Sequence, residues 1–163
     1  MTTKPSSKSA MLLAAVAAAS LSVVSTVAQA GECPADQVAA GVVHDGGASP
    51  VGVTDAVLGM IDLSKESIQA NNRLFRLRRL EIEPGGIVPL HDHADRPALI
   101  YIIEGSIMEY SSNCMVPIQH NAGEIAMESV GLVHWWQNTG DENVVLISAD
   151  ILHTEVEEDD HMM

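Results

Sequence analysis

Gly85-Gly86-Ile87-Val88-Pro89-Leu90-His91-Asp92-His93 and, further along, Gly131-Leu132-Val133-His134-Trp135-Trp136-Gln137-Asn138 set three histidines in an ordered frame. Residues two apart on an extended strand project to the same side, so His91 and His93 point together while Asp92 faces away. A third imidazole arriving from a distant strand, His134, completes a facial trio of neutral nitrogen donors, which is the pattern of a transition-metal site.

Short strand candidates surround these segments. Val53 to Ile61 is apolar enough for a first strand, with a helical turn over Ala56 to Met60 as the alternative. Arg73 to Glu83 follows, closed by Pro84-Gly85-Gly86. Ile87 to His93, Ala98 to Glu104, Ser106 to Tyr110, Met115 to Ile118, Glu124 to Met127, Val133 to Gln137 and Val144 to Leu152 come next, separated by turns rich in Gly, Asn, Ser and Asp. No helical period is sustained, so the pattern predicts an all-β sandwich or barrel in one domain, without repeats.

The two histidine segments resemble the paired motifs of the cupins. The first motif, Gly, five residues, His-x-His, a spacer, Glu, six residues and Gly, is matched by Gly85, His91-Asp92-His93 and Gly105. The second, Gly, five residues, Pro-x-Gly, two residues, His, three residues and Asn, is matched by Gly123, Ser129-Val130-Gly131, His134 and Asn138. The resemblance covers about Arg73 to His153. It implies a cupin-like double-stranded β-helix (jelly-roll) barrel of the small single-domain type, with an extended N-terminal arm.

Two positions depart from the family pattern. Ser129 stands where the second motif has proline, and Ala98 stands where the family carries its glutamate ligand. The resemblance therefore implies a three-histidine variant lacking that glutamate, with His91, His93 and His134 around one divalent transition metal. Iron leads, and Mn, Zn, Ni and Cu are also compatible with imidazole ligands. Water or Asp95 would take the carboxylate's place, although Arg96-Pro97 suggests that Asp95 lies in a turn. A site of neutral imidazoles favours an anionic small-molecule ligand.

Alternation places Trp136 and Asn138 on the His134 face and Trp135 on the other, while Ile100 and Ile102 run in phase with Ala98. Ala98, Ile100, Ile102 and Trp136 thus line the expected substrate pocket, and Arg96 at its mouth offers a donor fork for a carboxylate. Trp135 is expected to pack elsewhere, and Glu104 to lie at a strand end on the surface. His44, His120, His153 and His161 are left without metal, and Arg73, Arg76, Arg78 and Arg79 are read as strand-surface ion pairing.

Residues 1–30 have the layout of a secretory signal peptide, with Lys4 and Lys8 before the apolar Met11 to Val24 run and Ala28-Gln29-Ala30 before a cut expected after Ala30. The apolar run is shorter than the roughly 20 residues of a spanning helix, which argues against stable membrane insertion. Residues 31–72 form the arm and first strand, 73–153 the barrel, and 154–163 an acidic tail. The formal charge is −14, and loss of Lys4 and Lys8 makes the mature chain more acidic still, which excludes nucleic acid as a partner. Cys33 and Cys114 are the only cysteines, and an even number in an exported chain predicts one disulfide, two free thiols being the alternative.

Taken together, these residues predict a periplasmic or secreted metal-binding cupin. Its expected activity is that of a metal-dependent dioxygenase acting on a small anionic substrate, with non-catalytic binding of a metal or small molecule as the alternative. A homodimer is compatible with such a barrel.

Overall fold

The computed structural model describes Met1 and residues 31–154. Apart from Met1 and Thr154, the expected signal peptide and acidic tail lie outside the described residues. Eight strands make one antiparallel sheet: β1 (Val51–Asp62), β2 (Arg73–Asp92), β3 (Ala98–Glu104), β4 (Ser106–Ser111), β5 (Ile118–Asn121), β6 (Ile125–Glu128), β7 (Val133–Gln137) and β8 (Val144–His153). The order β5-β4-β7-β2-β8-β3-β6, with β1 paired to β2, curls into the expected barrel. The β5–β6 turn returns to β3 and its end through bonds such as Gly123 N to Ile102 O, 2.9 Å, and Ala122 N to Gly105 O, 3.0 Å.

Alternation decides which side chains fill the barrel. On β3, Ala98, Ile100 and Ile102 are buried while Leu99, Tyr101 and Ile103 are exposed. The inward residues join Leu80, Ile82, Ile107, Ala126, Trp136, Val144 and Leu146 in one core. Fully burying an isoleucine such as Ile82 or Ile102 stabilises by roughly 1.5–3 kcal/mol.

The sequence pattern places a break at Pro84-Gly85-Gly86, but β2 runs straight through it. Its first half pairs with β1 and β8 and its second with β7, so the Pro-Gly-Gly segment is a bend at which the strand changes partners. Gly85 has φ +76°, and a Cβ on Gly86 would lie 2.7 Å from the Glu83 carbonyl oxygen. The bend is tied to the end of β7 by Gly85 N to Asn138 O, 2.9 Å, and Asn138 N to Gly86 O, 3.0 Å. The buried Asn138 side chain donates to Ile82 O and Glu142 O, which explains the asparagine of the second motif as a turn anchor.

The arm is fastened along the outside of β4 and β7. Cys33 and Cys114 form a disulfide, Val38 bridges Cys114, and His44 Nε2 lies 2.8 Å from Cys114 O. Gly46 packs against Trp135, whose ring stacks on Tyr110 at 3.8 Å. Trp135 thus lies on the side of β7 opposite His134, as alternation along a strand predicts.

Because the disulfide closes a loop across 81 residues, the chain-entropy model sets its contribution at up to about 4.5 kcal/mol, with losses of about 2–5 kcal/mol typical for small domains. Replacing Cys33 and Cys114 with serine should lower the unfolding free energy by about 2–4 kcal/mol in a urea titration with the m-value retained. A loss below about 0.5 kcal/mol would show that the arm does not constrain the barrel.

Candidate metal centre

Register brings the three histidines together. His91 on β2 is the direct cross-strand partner of His134 on β7. His93, just past the end of β2, stays in line because its N–H donates to Leu132 O at 3.0 Å. The Nε2 atom of His134 lies 3.0 Å from that of His93 and 3.2 Å from that of His91. Each ring is held from behind at Nδ1: His91 against Pro89 O at 2.8 Å, His93 against Arg96 O at 2.7 Å, and His134 against Glu109 Oε1 at 2.7 Å. Donation from Nδ1–H leaves every Nε2 lone pair directed at the common centre.

A fourth donor is present, which corrects the expectation of a site lacking glutamate. Glu128, the last residue of β6, puts Oε2 3.1 Å from His93 Nε2 and Oε1 3.3 Å from His134 Nε2. One donor atom from each of His91, His93, Glu128 and His134 falls within 4.8 Å of all the others. The physical reason is cross-strand pairing: Ala98 on β3 lies directly opposite Glu128 on β6. Paired residues on one sheet face have Cβ atoms about 5 Å apart, so a carboxylate on either strand reaches the same point. The small Ala98 side chain leaves the space that Glu128 fills.

These residues fit a metal ion. Donors about 2.1 Å from a shared ion are separated by roughly 3.0 Å at right angles and 3.4 Å in a tetrahedron, and the four separations that involve His134 or join His93 to Glu128, 3.0–3.3 Å, lie in that interval. Burial holds the His91 imidazole down at about 4, with the Pro89 carbonyl opposing and the charges of His134, His93 and Arg96 assisting. His93 is lowered for the same leading reason. Burial pushes Glu128 up to about 7, helped by the negative charge of Glu109 and resisted by His134, Arg96 and Arg78. Burial would also raise Glu109, but its bonds to His120 and His134 prevail and hold it at about 2.

The other expected site residues divide. Arg96, Ile100 and Trp136 line a cavity of about 40 Å³ beside His91 and Glu128. Ala98 and Ile102 are buried in the core and do not line it. Asp95 is no ligand: it is exposed and pairs with Arg73 and His153. Glu104 lies exposed at the end of β3. The arginine cluster is only partly a surface feature. Arg73 and Arg79 pair near the surface, but Arg76, Arg78 and Arg96 converge on the buried Asp150 at 2.7, 3.5 and 3.0 Å. Burial raises Asp150, yet the bonds from Arg76 and Arg96 leave it lowered overall.

Sequence reasoning missed Glu128, Glu109 and Arg78. Glu128 is in phase with the buried Ala126 on β6, and Glu109 with the buried Ile107 on β4. An acid on the apolar phase of a short strand was the available signal.

Two outcomes test the centre. Glu128→Ala should weaken metal binding by about 10–100-fold in a competition titration, and adding Ala98→Glu should restore most of it. If Ala98→Glu restores nothing, the two positions are not equivalent. Binding must also displace the Glu128 proton, so calorimetry across buffers of different ionisation heat should find more proton released per metal at pH 6 than at pH 8. In the metal-free protein the raised Glu128 acts in the opposite sense. Its contribution is fully present below the unfolded value near 4.5 and declines by about 3 kcal/mol as pH rises through 7.

Comparison with known proteins agrees with this architecture. A family model described as Cupin domain matches residues 78–150. The oxalate-binding protein of Thermotoga maritima is 32% identical over 90 residues, which cover 55% of this chain and 71% of that protein. Germin-like protein 8-14 of Oryza sativa is 33% identical over 75 residues, 44% of this chain and 35% of that protein. The chain thus spans about a third of the germin-like relative. A solved structure from Thermotoga maritima, described as a predicted oxalate decarboxylase, shares 27% identity over 61% of this chain and 80% of its own, with a TM-score of 0.49. With the Thermotoga protein matched over more than two thirds of its length, this chain belongs to the cupin family.

Proposed function

We propose that the chain binds one divalent transition metal through His91, His93, Glu128 and His134, and takes a small organic carboxylate of the oxalate type on the metal's open positions. Three imidazoles with one carboxylate suit iron and manganese. A bound ion would supply Lewis acidity and a direct coordination point for the ligand's oxygens.

The observation that carries the reading is the pair of guanidinium groups in the cavity wall. Arg78 and Arg96 line it together with His91, Glu128 and Ser148, between the apolar walls of Leu80, Val88, Ile100, Trp136 and Leu146. The Arg78 Nε is buried and has no protein partner among the described residues, while its other nitrogens bond Asp55 and Ser148. An unspent donor on a buried guanidinium calls for an acceptor, and an anion is the strongest one. The name of the Thermotoga relative, an oxalate-binding protein, supports the same ligand class.

The expected dioxygenase activity belongs to a three-histidine site, whereas Glu128 gives this centre a fourth donor. Ligand binding therefore leads over oxidative turnover. Export to the periplasm or beyond belongs to the proposal as well, because the Cys33–Cys114 disulfide suits an oxidising compartment.

Calorimetric titration of the manganese-loaded protein with oxalate should show binding that vanishes when the metal is removed. Arg78→Ala should weaken it by about 10-fold or more while metal content stays at the wild-type level. His153→Ala, whose ring pairs with Asp95, should change neither. Equal oxalate affinity with and without metal would overturn the proposal, and oxygen uptake in the same samples would reveal turnover.

A further inference from the structure

The back of the metal centre is built unequally. His91 and His93 rest on main-chain carbonyls, but His134 rests on a side chain, Glu109. The second oxygen of Glu109 is also taken, by His120 Nε2 at 2.8 Å. The chain His134–Glu109–His120 crosses three neighbouring strands, β7, β4 and β5. All three residues are buried.

An apolar residue at position 120 would fill the barrel at lower cost than an imidazole, which must find partners once removed from water. His120 instead lies against Trp136, with ring centroids 4.7 Å apart. Trp136 is in turn a wall of the ligand cavity and sits 5.7 Å from the His134 ring. The remaining nitrogen of His120, Nδ1, is buried without a protein partner among the described residues. His120 and Glu109 also line a second cavity, bounded by Gly31, Glu32, Ser111 and Asn113, that has no lining residue in common with the first.

We propose that Glu109 and His120 are positioning residues of the metal centre. Glu109 fixes the ring plane and the Nδ1–H tautomer of His134, and His120 fixes Glu109 by engaging its second oxygen. A carboxylate held at one oxygen can turn about its last torsion, whereas one held at both cannot. Removing His120 therefore releases His134 without touching a metal donor. This role rests on the metal-binding reading above.

Cobalt(II) is a suitable probe, since its visible spectrum reports the arrangement of its ligands. The full exported chain should bind one equivalent. Glu109→Gln should lose about 10–100-fold in affinity, the usual range for a group that orients a ligating histidine. His120→Leu, acting one step further out, should lose about 3–10-fold and shift the visible bands. His120→Gln, whose amide can donate from near the Nε2 position, should recover most of the affinity and the wild-type spectrum.

Wild-type affinity and spectrum in His120→Leu would overturn the proposal even if its melting temperature fell, because that is the signature of packing alone. If His120→Leu does not fold, an unchanged spectrum and affinity in Glu109→Gln overturns it. Absence of cobalt binding by the wild-type protein would instead remove the metal-binding reading, and this proposal with it.

Discussion

The pairing of His91 with His134 across β2 and β7 is the constraint on which the site depends. Shifting either strand by one residue would turn its histidines out of the barrel. The bend at Pro84-Gly85-Gly86 protects that register. It lets one strand serve β8 with its first half and β7 with its second, and the two bonds between the bend and Asn138 fix where the change occurs. The metal frame and the barrel closure are thus set by the same few hydrogen bonds.

The barrel tolerates several buried ionisable groups because each is partnered. Asp150 is surrounded by three guanidiniums and Glu109 by two imidazoles. An unpaired buried charge costs several kcal/mol, and a paired one returns much of that only when its geometry is good. Glu128 is the exception: burial outweighs its cationic neighbours and keeps the carboxyl partly protonated near neutrality.

Much of this was legible from the sequence. Most of the strand series, the inward His91 and His93 and the outward Trp135 follow from a period of two and need no tertiary information, although the strand expected over Met115 to Ile118 forms instead at Ile118–Asn121. The Ala98 to Glu104 and Val133 to Gln137 strands appear with those bounds. Glu128 was hidden because register between β3 and β6 is a long-range property, and the family pattern directs attention to Ala98 instead. Arg78 was hidden for a related reason. A strand arginine reads as surface charge until Asp150, far along the chain, is known to lie beside it. The Pro-Gly-Gly segment carries the same local signal whether it ends a strand or bends one, and only the partner strands distinguish the two.

The opposition of Ala98 and Glu128 has a consequence for how such a site can change by single substitutions. Moving a ligand carboxylate from β3 to β6 passes through a chain with either both acids or neither. With both present, two carboxyls would face one point in a low-dielectric interior, where like charge and burial keep one of them protonated. A neutral acid is a far smaller burden than a second anion, so that intermediate can still fold and hold its ion. The ligand's identity is then a property of a location inside the barrel, and the residue number that supplies it is free to drift.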